Sequence, residues 1–231
     1  MLERLRPAEA ERILDIGCGT GRLTSEIARQ PLAMLVGMDR SGSMLAEASR
    51  NSNPGIRFVQ ADAARLPFCA SVFDAVFSTA TFHWVPDHPR LFAEIHRVLR
   101  AGGRLVSQAG GGPNLARLYE RCGLLRRSAD YAHGFEGWRD PWNFAGVDDT
   151  RARMQAAGFR DVDVWLEPAP TTFSTADEFA DFVSTVCLRH HLDRLSGEGR
   201  TRFLDRITEL AAADAPPFTL DYWRLNIDAR T

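Results

Sequence analysis

From residue 13 to residue 109 the chain alternates short, densely apolar runs with stretches that are apolar at helical spacing, and few architectures accept that rhythm. ILDI (13–16), LAMLVGM (32–38), IRFVQ (56–60), FDAVFS (73–78) and GRLVSQA (103–109) read as strands. They are apolar on both faces, as a parallel sheet covered by helices on both sides requires. GRLTSEIARQ, SGSMLAEASRN and HPRLFAEIHRVLR lie between them and read as helices. In the last, Leu91, Phe92, Ile95, Val98 and Leu99 recur at helical spacing, and Gly102-Gly103 reads as the helix stop. Strand and helix in short alternation predict an α/β fold, a doubly wound and mostly parallel sheet.

Beyond residue 109 the rhythm breaks at GGGPN. Helices are expected over 114–127, 148–159, 176–195 and 197–213, and strands over 161–168 and 218–228. The expected organisation is a cofactor-binding half of a sheet domain (1–109), an insert (110–146), a helix and strand of the same domain (147–173), an inserted helical cap (174–214) and a closing strand (215–231). The insert holds the aromatic stretch YAHGFEGWRDPWNF (131–144).

Composition removes several function classes. Of 231 residues, 28 are basic and 30 acidic, a net charge of −2, so there is no electrostatic case for nucleic acid or an anionic membrane. No apolar run approaches the ~18 residues of a bilayer span, and MLERLRPAEAER is not a signal peptide. Cys18, Cys69, Cys122 and Cys187 form no CxxC pair, which excludes a disulfide framework or zinc knuckle and suits a cytoplasmic protein. The chain contains no lysine. Schiff-base and pyridoxal chemistry need that amine, and a Walker phosphate loop needs its GK[ST] lysine.

Three polar signals stand at the ends of three successive strands. Asp15-Ile16-Gly17-Cys18-Gly19-Thr20-Gly21 follows the first strand and opens a helix. A strand-to-helix glycine loop is the usual nucleotide position in such sheets. Its spacing is G-x-G-x-G, and Arg22 occupies the third glycine position of the dinucleotide pattern, which disfavours an NAD-dependent oxidoreductase. Asp39 ends the second strand and can accept both hydroxyls of a ribose. Asp62 follows the third strand and can accept from an adenine amino group. Each aspartate alone reads more readily as a helix cap or a solvated turn residue than as a ligand. All three together lie along the edge where open α/β sheets bind ligands.

The segments ILDIGCGTGRLT, VGMDRSGSML, VQADAARLPF, FDAVFSTATFHW and LRAGGRL, in this order over residues 12–109, resemble the class I S-adenosylmethionine-dependent methyltransferases. The resemblance implies a Rossmann-like fold with an antiparallel last strand and S-adenosylmethionine as cofactor. It sets Gly17, Cys18, Gly19 and Gly21 around the methionine part, and Asp15 against its amine. Asp39 would take the ribose, with Arg40 beside the adenine, and Met44 would be a further cofactor-binding residue. Asp62 and the Ala63 N–H would read the adenine edge, and Ser78 and Thr79 would lie near the sulfonium. FHWVPDHPRLFAEIHRVLRAGGRLVSQAGGG and TLDYWRLNID are similar to the trans-aconitate type of small-molecule carboxyl methyltransferase. That group usually carries a longer arm before the glycine loop than the dozen residues here. A second subunit, as in a homodimer, or the later helices are expected to supply the cover.

The acceptor implied is a small molecule, probed by residues outside the glycine loop. His83 follows the fourth strand and can act as a general base, or only hydrogen-bond and pack. A carboxylate acceptor is already ionised and needs no base, whereas a hydroxyl or amine does. Trp84 reads as a packing anchor or a substrate platform. Tyr131, His133, Trp138 and Trp142 can shape an apolar pocket or form the insert's own core. Arg189 and Tyr222 are expected to pair with an anionic acceptor, under an apolar stripe of Phe179, Phe182, Val183 and Val186. His190 and His191 point ~100° apart on a helix and predict no metal site. The alternatives are hydroxyl or amine methylation with His83 as base, and a catalytically silent S-adenosylmethionine-binding subunit.

Overall fold

Ile13 and Leu14 are both fully buried yet face opposite sides of the first strand, so the sheet they enter is covered on both faces. In the computed structural model, which describes residues 1–231, the strands are β1 (Arg12–Ile16), β2 (Met34–Asp39), β3 (Ile56–Gln60), β4 (Phe73–Thr79), β5 (Leu99–Gly110), β6 (Arg160–Pro168), β7 (Thr171–Thr172), β8 (Thr219–Leu220) and β9 (Trp223–Arg230). The helices are α1 (Leu2–Leu5), α2 (Arg22–Ile27), α3 (Gly42–Asn51), α4 (His88–Val98), α5 (Ala116–Arg126), α6 (Val147–Ala156), α7 (Ala176–Phe182), α8 (Arg189–Leu192) and α9 (Gly197–Ala212).

Seven strands form the main sheet in the order β3-β2-β1-β4-β5-β9-β6. β1 through β5 pair in parallel, and β9 runs antiparallel to β5. The chain winds outward from β1 to β3, then returns to place β4 on the other side of β1. That reversal opens a crevice at the carboxyl ends of β1 and β4, the ligand position of doubly wound sheets. On one face Leu5, Ile27, Phe77 and Val106 pack with Ile13. On the other, Leu91, Phe92, Ile95 and Val98 of α4 and Met154 of α6 pack with Leu14. α4 starts where Asp87 accepts from the Arg90 N–H, a side-chain cap.

Two compact units result. The first comprises Met1–Gly112, Trp142–Glu167 and Arg224–Thr231, and the second Pro113–Pro141 and Pro168–Trp223. The second has its own core, with Phe179, Val183, Leu188, Phe203 and Ile207 almost wholly buried, and its own two-stranded sheet, β7 with β8.

Three expected elements differ in the structure. The helix expected to run to residue 100 ends at Val98, and β5 begins at once with Leu99. Residues 100–103 then stand opposite Asp74 alone, because Phe73 pairs with Leu99 and Ala75 with Arg104; Gly102, at φ 75°, turns that bulge rather than stopping a helix. The helix expected over 176–195 is broken by a π-turn at Val183–Cys187, closed by the Leu188 N–H on the Val183 carbonyl at 2.7 Å. The added residue rotates the helix face, so Val186 is half exposed while Cys187 and Leu188 take the core positions. The strand expected over 218–228 is two strands, β8 in the second unit and β9 in the main sheet.

Candidate active site

Gly17, Gly19 and Gly21 all take positive φ, at 75°, 56° and 80°, which L side chains adopt only under strain. The Gly17 and Cys18 N–H groups both donate to the Met38 carbonyl at the end of β2, at 2.7 and 3.0 Å. The Gly19 N–H donates to Asp39 Oδ2 at 2.9 Å, and the Ser41 N–H to Oδ1 at 2.8 Å. Asp39 therefore ties the glycine loop to the start of α3. Its carboxylate accepts one bond on each oxygen, and carboxylate oxygens accept about two each.

Asp15, Gly17, Cys18, Gly19, Thr20, Arg22, Leu23, Met44 and Thr79 line a cleft of about 280 Å³ over this loop. A Cβ on Gly19 would meet only the Met44 Sδ, at 3.8 Å, so the loop backbone there is open to a close approach. Asp15 is buried and accepts from Thr24 Oγ1 at 2.6 Å. Burial, opposed by that hydrogen bond and reinforced by the charge of Asp39, pushes its carboxyl up to about 7. Burial and the carboxylates of Asp15 and Asp39 push the Cys18 thiol up to about 12, which leaves it a cleft wall and no nucleophile. Asp62 is exposed, with its Oδ1 accepting from the Ala64 N–H, and Ala63 is buried beside it. Arg40 is exposed one residue past Asp39.

Ser78 departs from expectation. It is fully buried and its hydroxyl donates to the Ile16 carbonyl at 2.8 Å, so that side chain ties β4 to β1 and is not among the groups lining the cleft. Thr79, on the opposite face by strand alternation, does line the cleft. It also lines a second, open hollow of about 620 Å³ with Met1, Leu2, Glu3, Leu23, Phe77 and Gln108. Gln108 donates to Asn226 Oδ1 at 2.7 Å across the β5–β9 pair, and Asn226 Nδ2 lies 3.5 Å from Glu167.

His83 lies on the 3₁₀ turn Phe82–Trp84 after β4. Its Nδ1 accepts from the Gly110 N–H at 3.2 Å. Burial and the nearby Arg224 and His88 hold it well below the ordinary histidine range, at about 4. A neutral ring that accepts at Nδ1 carries its proton on Nε2, so Nε2 is a donor. The insert contributes to this corner. Phe144 packs on the His83 ring at 5.7 Å, Trp142 meets Trp84 edge-on at 6.5 Å, and the Asn143 N–H donates to the His83 carbonyl.

The aromatic stretch is thus divided. Trp142 belongs with Trp84, while Tyr131 and Trp138 pack in the second unit around Phe135, Phe203 and His191, and His133 is exposed. Arg189 and Tyr222 also lie in the second unit. Arg189 is largely exposed, 3.9 Å from Asp193, and the buried Tyr222 hydroxyl lies 3.4 Å from Cys187 Sγ. No group of three or more His, Cys, Asp or Glu side chains is placed to hold a metal ion. No helix is long and apolar enough to cross a membrane. The closing strand carries polar residues that its sequence pattern left unassigned, Asn226 and Arg224; their signal was alternation with Leu225 and Ile227, which sets them together on one face.

Residues 14–107 match the methyltransferase domain family. Solved structures share the fold. The YcgJ protein of Bacillus subtilis superposes with a TM-score of 0.69 at 22% identity, covering 100% of this chain and 96% of that one. A phosphoethanolamine N-methyltransferase of Haemonchus contortus in complex with S-adenosyl-L-methionine gives 0.61 at 20%, covering 100% and 50%. The chain belongs to the class I S-adenosylmethionine-dependent methyltransferases, enzymes with that sulfonium as cofactor. Within the class it stands with relatives named trans-aconitate 2-methyltransferase. That of Deinococcus radiodurans is 32% identical over 206 residues, 84% of this chain and 76% of the relative, and that of Methylobacterium nodulans is 34% identical over 229 residues, 94% and 83%.

Proposed function

We propose that this enzyme methylates a carboxylate of a small organic acid, as the names of its relatives suggest. The observation that carries the reading is the His83–Gly110 hydrogen bond. With Nδ1 occupied and the ring neutral, His83 cannot take a proton at Nε2, and it is a poor base for a hydroxyl or an ammonium. An Nε2–H donor suits an anion that needs no base.

The open glycine loop and the tied Asp39 fit the cofactor. Gly17, Cys18, Gly19 and Gly21 would border the methionine part, Asp15 its amine, Asp39 the ribose, and Arg40, Met44, Asp62 and Ala63 the adenine. When bound, the cofactor supplies an electrophilic methyl; a carboxylate oxygen takes it with a lone pair, the C–S electrons stay on sulfur, and no proton moves. The protein's part is positioning and exclusion of water. His83 and Trp84 on one side, and Thr79 and Gln108 at the floor of the adjoining hollow, would hold the acceptor.

A labelled-methyl transfer screen over carboxylic acids, phenols and amines tests this. The expected product releases its label in mild base, as esters do; a base-stable product overturns the reading. His83→Gln is expected to keep activity within about threefold, since a general base would be worth ~10²–10⁴. With the cofactor saturating, so that Asp15 does not enter, the wild-type profile should show no inflection near the ordinary histidine value, because a ring held at about 4 stays neutral from pH 5 upward. An inflection near 6.5 that vanishes in the variant points instead to hydroxyl methylation.

Asp15 offers an independent check. Its carboxyl titrates at about 7 in the free protein, and an ammonium placed beside it lowers that value. Between the lowered value and about 7 the free site holds a proton that the bound site does not, so binding releases it. Calorimetry of S-adenosylhomocysteine at pH 6 in buffers of different ionisation enthalpy is expected to show release of up to about one proton, absent in Asp15→Asn. Equal proton release in the variant removes Asp15 from the amine site.

A further inference from the structure

The face of the sheet that carries Thr79 and Gln108 continues across β9, and it carries there a cation that the glycine-loop pattern gives no role. Thr79 pairs in register with Gln108, and Gln108 with Asn226. The three form one polar layer across β4, β5 and β9, with the Gln108–Asn226 hydrogen bond fixing the last two. Two residues further toward the carboxyl end of β5, Gly110 pairs with Arg224. Alternation puts Arg224 on the face of Asn226, one layer above it and about 7 Å along the strand. The same Gly110 donates its N–H to His83 Nδ1. One residue without a side chain thus has a guanidinium-bearing residue as its strand partner and an imidazole on its amide. The influence of Arg224 on the His83 ring agrees with their proximity. Glu167 lies 3.5 Å from Asn226 Nδ2, and Glu3 and the amino-terminal residue Met1 border the hollow.

We propose that Arg224 is a specificity-determining residue of the acceptor site, taking a non-reacting carboxylate of a di- or tricarboxylic acid while His83 Nε2–H holds the reacting one. It rests on the carboxylate reading above and goes further, because a monocarboxylate would satisfy His83 alone. A guanidinium binds a carboxylate through two parallel N–H donors, a geometry that a lysine or an amide side chain cannot reproduce. Asn226, held from one side by Gln108 and bonded to the Arg224 carbonyl at 3.3 Å, keeps the strand position of Arg224 fixed. A neutral or monoanionic acceptor gains nothing from Arg224, so the contact favours the polyanion.

The test uses trans-aconitate as the polyacid and crotonate as the monoacid, with wild type, Arg224→Gln and Arg224→Lys. Arg224→Gln is expected to raise the KM for trans-aconitate about 10–100-fold, the size expected for hydrogen bonds to a charged group, with kcat changed less than about threefold. The crotonate KM and the affinity for S-adenosylhomocysteine should not move. Arg224→Lys keeps the charge and is expected to fall between, with the wild-type melting temperature. Direct calorimetry of trans-aconitate into protein saturated with S-adenosylhomocysteine should show the same order without turnover. If the wild type esterifies both acids and Arg224→Gln leaves their ratio unchanged, or weakens S-adenosylhomocysteine equally, the assignment of Arg224 is wrong while carboxylate methylation stands. If the wild type methylates only amines or phenols, both fall together.

Discussion

Gly17→Ala is expected to abolish S-adenosylhomocysteine binding and to lower the melting temperature by about 5–20 °C, whereas Gly19→Ala should fold nearly as the wild type and still bind at least about tenfold more weakly. Both residues take positive φ, which costs an alanine ~1–2 kcal/mol. Their surroundings separate them. A Cβ on Gly17 would overlap the Thr81 side chain, whose hydroxyl donates to the Thr79 carbonyl at 2.9 Å and holds the turn after β4. Relief would move either the glycine loop or that turn, and overpacking of this kind adds ~1–3 kcal/mol. A Cβ on Gly19 meets nothing nearer than the Met44 sulfur at 3.8 Å, so its folding cost is the backbone strain alone. Its binding cost is the loss of open space over the loop. Removing the overlap with Thr81→Gly should restore part of the melting temperature of Gly17→Ala. Full wild-type affinity in Gly19→Ala would mean that no ligand approaches the loop backbone there.

This contrast marks the boundary of what pattern alone carries. Two-sided apolar runs announced β1 through β4 within about two residues, because burial on both faces leaves no polar alternation to confuse. The glycine turn and the strand-end positions of Asp39 and Asp62 were legible because a turn at positive φ and the end of a strand are local facts; the ligand roles of these residues stay proposals. Thr81 was not, since its role exists only across the β1–β4 crevice, 64 residues from Gly17. Ser78 departs from its expected place for a related reason. At the end of a strand successive side chains face opposite ways, and only the pairing partner decides which of Ser78 and Thr79 sees the cleft.

Beyond residue 109 the sequence was less legible, and the failures share a cause. The stripe Phe179, Phe182, Val183 and Val186 is consistent with an unbroken helix, but one extra residue in the π-turn at Val183–Cys187 moves Val186 outward. Nothing in VSTVC demands that insertion; with it, Leu188 and Leu192 lie buried in the second core. Likewise TLDYWRLNID alternates throughout, yet Thr219–Leu220 pairs with Thr171–Thr172 while the residues from Arg224 onward pair with β5. Alternation describes a strand and not its partner. Arg224 passed unassigned for that reason, because its interest arises from standing opposite Gly110.

Asp39→Ala is expected to weaken S-adenosylhomocysteine about 10²-fold, more than a ribose contact alone would give. Two hydrogen bonds from ribose hydroxyls to a carboxylate are worth ~1.5–3 kcal/mol each, and even half the total is about tenfold. The structure adds a second contribution. The same carboxylate accepts from the Gly19 N–H and the Ser41 N–H, so the alanine variant also releases the glycine loop from the start of α3. The loop must then be ordered by the ligand, and that ordering is subtracted from affinity. The two contributions can be separated with 2′-deoxy S-adenosylhomocysteine in a double cycle. If Asp39 holds the ribose, removing the 2′-hydroxyl should cost the wild type about tenfold and the variant almost nothing. If Asp39 acts only by organising Gly19, the deoxy ligand loses the same factor in both proteins, and the ribose assignment falls while the loop-ordering role remains. Asp39→Asn refines the outcome. It keeps one acceptor oxygen but turns an N–H₂ toward one of the two backbone donors, so it should behave nearer to alanine than to aspartate in both affinity and melting temperature.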